Sequence, residues 1–84
     1  MKLLLTSIIK ALVDTPSAVK ISQSNGAKTA IFEIRCDDRD VGKVIGKSGK
    51  TVGALRTLFN SLAAKESRKA VVEVVADRPV VVVD

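Results

Sequence analysis

The stretch "VGKVIGKSGKTVG", residues 41–53, decides how the rest of the chain is read. It spells Gly-Lys-Ser/Thr twice, at Gly46-Lys47-Ser48 and at Gly49-Lys50-Thr51. That tripeptide ends a nucleotide-binding P-loop, and it equally suits a loop that grips a nucleic-acid backbone. A P-loop needs G-x-x-x-x-G-K-[ST]. The first glycine would have to stand where Val44 or Val41 stands. Both positions fail where the loop must curl around a phosphate. A P-loop also follows a buried strand, whereas "DDRDVGKVI" precedes this one. NTP hydrolysis is therefore set aside.

The other reading uses the glycines as they are spaced. Gly46-Lys47-Ser48-Gly49 is G-x-x-G. A glycine at each end lets the chain reverse tightly and leaves room for a backbone to approach. The loop is expected to run straight into a helix, whose free N–H groups and positive dipole end favour a phosphate. Lys47 and Lys50 add charge and Ser48 a hydroxyl donor. The segment from Val41 to Ala64 carries Lys43, Lys47, Lys50 and Arg56 and no acid. Asp37, Asp38 and Asp40 lie before it, and Glu66, Glu73, Asp77 and Asp84 after it.

Working outward, residues 2–13 read as a helix, with Leu5, Ile8, Ile9 and Leu12 on one face. Asp14-Thr15-Pro16 stops it. Residues 18–23 alternate as a strand, with Val19 and Ile21 on one side. Asn25-Gly26 is a strong hairpin signal because both residues tolerate positive φ. Residues 29–36 form the second strand, with Ala30, Phe32, Ile34 and Cys36 facing inward and Ile31 outward. A short helix is expected from about Asp38 to Ile45, its acids suiting the positive end of the dipole. Gly46–Gly49 is a turn. Residues 50–66 are the best helix, with Val52, Leu55, Leu58, Phe59 and Leu62 in one apolar stripe. Residues 70–76 form the third strand, Val72 and Val74 opposing Glu73.

The order α-β-β-α-α-β predicts an α+β fold, with helices packed on one face of a three-stranded mixed sheet. A single domain is expected over 1–76, followed by a tail at 77–84. Pro79 interrupts any continuation of the third strand. The tail reads as loosely docked, with an added strand or a contact with another chain as the alternative.

Composition narrows the function. The chain has 84 residues, is 46% hydrophobic and carries a net charge of +5, which favours a polyanionic partner. With one cysteine, Cys36, and no histidine, neither an internal disulfide, a Cys/His zinc site nor a His-based triad can form. Cys36 reads as a small buried apolar residue. No cofactor or metal is expected, and no enzyme. The opening "MKLLLTSIIKALVDTPSA" is too dilute and too short in its apolar run for a secretory signal. A cytoplasmic location is expected, with no membrane span.

The neighbours of the loop make it more specific than a bare G-x-x-G. "VGKVIGKSGKTVGALRTL" resembles the signature of the KH domain, a module whose GXXG loop clamps about four backbone nucleotides of RNA. The element order resembles the type II arrangement, and the size resembles the small stand-alone bacterial KH proteins of the KhpA type. The resemblance covers about residues 1–76 and leaves out the "RPVVVVD" tail. It implies a non-catalytic single-stranded RNA binder, a chaperone or post-transcriptional regulator.

By position, Gly46, Lys47, Ser48 and Gly49 would hold the backbone, and Val44 or Ile45 would line the groove floor. Lys43, Lys50 and Arg56 would supply charge, with solvated helix surface as the competing reading for Lys43 and Arg56. Ile34 and Arg35 are weaker candidates for the opposite wall, and by pattern Ile34 belongs to the core. The lack of Tyr and Trp argues against base stacking as used by other folds and fits a groove of aliphatic contacts. The family often dimerises, as a homodimer or with another KH-containing protein, which raises effective affinity. The alternative is an adaptor that uses the fold mainly to dimerise, suggested by the valine-rich tail and a mean hydropathy of +0.24.

Overall fold

The computed structural model describes residues 1–75. The 77–84 tail and the end of the expected third strand lie outside them. The elements are α1 (Lys2–Leu12), β1 (Lys20–Asn25), β2 (Thr29–Arg35), α2 (Val41–Ile45), α3 (Lys50–Ala64) and β3 (Lys69–Val74). The sheet order is β1-β2-β3, with β1 antiparallel and β3 parallel to β2. The parallel pair is possible because the connection through α2 and α3 is long enough to cross over. The fold is thus the expected α+β one, with a mixed sheet.

Helix α1 buries Leu5 and Ile9, one turn apart on the face toward the sheet. Leu12, placed by periodicity on that face, is 38% exposed at the last turn, because the chain leaves the helix at Val13 in an extended conformation. Pro16 opens a 3-10 turn through Ala18. That turn takes residues expected to begin the first strand, so β1 starts later, at Lys20, and runs on to Asn25.

The hairpin forms where Asn25-Gly26 marks it, by a different device. Asn25 stays in the ladder opposite Ala30, and the Gly26 N–H donates to the Thr29 carbonyl at 2.8 Å. Positive φ occurs elsewhere, at Gly46, Ser48, Gly49 and Ser67. Lengthening β1 through Asn25 moves the reversal into Gly26–Lys28, and neither Asn25 nor Gly26 needs a left-handed conformation.

Strand β2 alternates strictly, with Ala30, Phe32 and Ile34 fully buried. Cys36, expected on the same inner face, falls just past the strand and is half-buried. Burial raises its thiol pKa, and the nearby carboxylates of Asp40, Asp37 and Asp38 add to that. Helix α3 buries Val52, Leu55, Phe59 and Ala63. Leu58, assigned to that stripe, is 44% exposed on its flank. The true inward line recurs at 52, 55, 59 and 63, and Leu58 is rotated about 100° from Phe59.

The C-terminus of α3 closes with paired bonds from Arg68 N–H to the Ala63 carbonyl and from Ser67 N–H to the Ala64 carbonyl. Ser67 takes the left-handed position usually given to glycine. The turn directs Lys69 into β3 beside β2.

The main core lies between the helices and the sheet. Phe32 and Phe59 meet at its centre, ring centroids 5.9 Å apart and tilted by 48°. A second, smaller cluster joins Val41, Ile45 and Val52, with Cys36 and Val74 packed against it. It fastens both ends of the glycine loop to the end of the sheet where β2 and β3 finish.

Candidate nucleic-acid interface

Helix α2 is only five residues long, too short to hold its position by its own hydrogen bonds. Polar contacts at its entry and apolar contacts along its length fix it. At the entry, the Asp37 carboxylate accepts from the backbone N–H and the guanidinium of Arg39. The side-chain bond from Arg39 is the chief reason its pKa falls to about 2.

Asp40 is almost fully buried and reaches back across 25 residues of sequence. It accepts from the backbone N–H groups of Asp14 and Thr15, at 3.3 and 3.0 Å. This clasp ties the end of α1 to the start of α2. Sequence reading placed Asp40 at a helix start and missed the clasp. A cluster of acids gives no sign of which one turns inward.

Lys43, expected near the RNA path, hydrogen-bonds the Asp14 carboxylate and lies 3.8 Å from Asp40. The bond to Asp14 is the main cause of its raised pKa. Its charge is already matched within the fold. Val44 is fully buried in the main core, and Ile45 is buried at 9% exposure in the smaller cluster next to the loop.

The loop follows directly. Gly46 has φ 77° and ψ 169°, Ser48 φ 55° and Gly49 φ 73°. Three of its four residues are therefore left-handed. At Gly46 a Cβ would sit 2.2 Å from the Thr51 hydroxyl and 2.8 Å from the Thr51 nitrogen. The fold itself demands glycine there. At Gly49 a Cβ would meet nothing within 4 Å. Only its φ and the open space before it set that position apart.

The loop is tied down internally by bonds from Gly46 N–H to the Gly42 carbonyl and from Gly49 N–H to the Gly46 carbonyl. It then opens α3, which has no side-chain cap and no acid in its first turn. The N–H groups at that end point along the axis with nothing from a side chain to satisfy them. Lys47, Ser48 and Lys50 are exposed, and among the described residues neither lysine forms an ion pair. The Gly46, Gly49 and Lys50 N–H groups are spent on backbone carbonyls, so what the loop offers an anion is its two exposed lysines and the positive end of the helix dipole.

Arg56 lies on the flank of α3 toward β3, where its Nε donates to the Val72 carbonyl at 3.1 Å. One turn on, the Asn60 carbonyl oxygen accepts from the Ala70 N–H at 3.0 Å. These two side chains cover part of the free edge of β3, and sequence reading did not single out Asn60. Strand β2 is paired on both sides, and Ile34 is buried in the core, as its pattern indicated. Arg35 is exposed at the end of β2. The outer edge beside α3 therefore belongs to β3.

Lys69 and Val75 direct their N–H groups to Lys28 and Ile34, toward β2. The period-two alternation turns the backbone of Ala70, Val72 and Val74 the other way, toward this edge. Val74 at its end packs on the cluster beneath the loop.

With this geometry in place, the likeness to known proteins is informative. Residues 2–74 match the family model described as KhpA/KhpB, KH domain. The chain is 43% identical over 75 residues to the RNA-binding protein KhpA of Clostridium acetobutylicum, covering 89% of this chain and 100% of that protein. To the RNA-binding protein KhpA of Caldanaerobacter subterraneus subsp. tengcongensis it is 42% identical over 72 residues, covering 86% and 96%. To the protein of the same name from Chlamydia trachomatis it is 40% identical over 78 residues, covering 93% and 100%. No solved structure matches it. The family is not an enzymatic one. A KH-type match over nearly all the described residues places the chain in the KhpA/KhpB KH-domain family.

Proposed function

We propose that the protein binds single-stranded RNA without catalysis, seating the sugar-phosphate backbone on Gly46, Lys47, Ser48, Gly49 and the N-terminus of α3 at Lys50. The observation that carries this is the loop itself: three left-handed residues, an uncapped helix end and two lysines with no carboxylate partner among the described residues. The relatives named as RNA-binding proteins support the ligand class. Ile45 and Val74, at the margin of the small cluster, give an aliphatic floor for bases. The outward backbone of β3 near Val74 supplies the opposite wall. Arg56 holds that wall through Val72, and Lys43 serves the fold before it serves the ligand. The work is regulatory or chaperone-like and cytoplasmic, within one domain spanning residues 1–76.

The test is fluorescence anisotropy with labelled single-stranded RNA at two salt concentrations, on wild type and on the Lys47→Asp, Ser48→Asp double variant. Wild-type affinity falls as salt rises, because bound phosphates release counterions. The double variant loses affinity at least about tenfold while its circular dichroism is unchanged. A folded variant that binds as wild type sinks the reading.

A second reading, an adaptor that pairs with its own copy or another KH protein, draws on exposed apolar side chains. Leu3 is 84% exposed, and Leu4, Leu12 and Leu58 are also open. Sedimentation at the same two salt concentrations separates the readings. An apolar dimer survives high salt, whereas phosphate binding weakens.

A further inference from the structure

Far from the glycine loop, a second group of cations gathers. Helix α3 has 15 residues, so about 22 Å separates Lys50 at its start from Lys65 just past its end. At that far end three segments meet. The Lys69 N–H donates to the Lys28 carbonyl, joining the start of β3 to the tip of the β1–β2 hairpin. The Arg68 N–H donates to the Ala63 carbonyl, joining the same segment to α3. The Arg68 guanidinium bonds Asn25 and the Thr29 carbonyl, pinning the hairpin tip.

Lys28, Lys65 and Lys69 are thereby brought to one end of the sheet, all exposed, with Glu66 the one acid in these stretches. None of the three forms an ion pair among the described residues. Like charges brought together on an exposed surface raise a local positive potential that suits a polyanion. The surface between this end and the loop is α3 itself, which contains no acid from Lys50 to Ala64.

We propose that Lys28, Lys65 and Lys69 form a second contact for the sugar-phosphate backbone of the RNA strand held by the glycine loop. The strand is gripped at both ends of α3 and crosses the acid-free surface between them. This rests on the loop reading above and extends it, since a loop of this type accounts for about four nucleotides only. The two grips act as linked sites, so an RNA long enough to reach both binds more tightly than one that fills the loop alone.

The test compares an RNA of about five nucleotides with one of about twelve, across a salt series. Three variants are measured: K28Q/K65Q/K69Q, the Lys47→Asp, Ser48→Asp loop variant, and a control, K2Q/K10Q/K20Q. The control removes the same charge from exposed positions on α1 and β1. On the longer RNA the K28Q/K65Q/K69Q variant binds about tenfold more weakly than wild type, and its slope of log affinity against log salt shrinks by about 2. On the shorter RNA it matches wild type, and the control matches wild type on both.

Wild-type affinity and slope for the longer RNA in the K28Q/K65Q/K69Q variant would overturn the second contact while leaving the loop in place. An equal loss on the shorter RNA, or in the control, also overturns it, because the effect is then one of net charge. Failure of the loop reading looks different: the loop variant binds both RNAs as wild type does.

Discussion

Two polar turns stand at the two ends of α2, and they treat their charges in opposite ways. At the entry, Asp37 is bonded to Arg39, while Asp40 is buried on two backbone N–H groups with Lys43 close by. At the exit, Gly46–Gly49 leads into a helix end without a side-chain cap, and Lys47 and Lys50 stand without carboxylates among the described residues. The entry closes its hydrogen bonds on the protein and holds the helix in place. The exit leaves its lysine charges unmatched and keeps three residues at positive φ, two of them glycines. In sequence the two turns look alike, both short, polar and charged. What separates the two turns is whether the charges already have partners.

The sharpest way to break this contrast lies within the loop. Gly46→Ala drives a Cβ into Thr51 at a positive φ and should cost about 3 kcal/mol or more. That lowers the melting temperature by roughly 10 °C or more in a domain of this size. Gly49→Ala meets no atom and costs only about 1 kcal/mol for its φ. Thermal melts of the pair measure the difference, and equal losses would show that the two glycines do the same job.

Next in size is Asp40→Ala. It leaves the Asp14 and Thr15 N–H groups without their acceptor, and about 2 kcal/mol of stability goes with it. Urea denaturation reads that loss, and an unchanged midpoint would show that the clasp contributes nothing. The entry turn should therefore be costly to mutate, and the exposed loop side chains cheap. Lys47→Asp with Ser48→Asp is expected to change stability by no more than about 0.5 kcal/mol while removing RNA binding.

The smallest effect is one of pH. The folded-state pKa of Asp37 lies near 2, below its ordinary value of 3.8, chiefly through the Arg39 side-chain hydrogen bond. Its contribution is complete above about pH 4 and is lost as pH falls toward 2. Comparing wild type with Asp37→Asn over that range isolates it. The variant should show a shallower acid limb, and parallel curves would remove Asp37 from the account.

Most of the architecture was legible in the sequence because it rests on period. Ala30, Phe32 and Ile34 alternate, and Val52, Leu55 and Phe59 recur at helical spacing; all are buried. The glycine loop was legible because few sequences need two glycines three apart between helices. Periodicity resolves a face only to within the width of a side chain. Leu12 and Leu58 sit at the borders of their stripes, and both proved exposed. Partners distant in sequence were not legible. Nothing in "DDRD" points to Thr15, and nothing near Lys43 points to Asp14. Their pairing depends on the sheet bringing the end of α1 beside α2.

The parallel pairing of β3 with β2 also governs when this surface comes into being. Thr29 is paired with Lys69, forty positions later, whereas the β1–β2 hairpin closes over a few residues. Loop-closure entropy makes the distant pairing the slow one. On the ribosome, the hairpin and both helices emerge before any of β3 does. Val74 then arrives to pack against Val41, Ile45 and Val52, at the end of the groove beside the glycine loop. The nascent chain thus carries the glycine loop some time before β3 exists, and on the proposed reading the site is complete only once β3 is released.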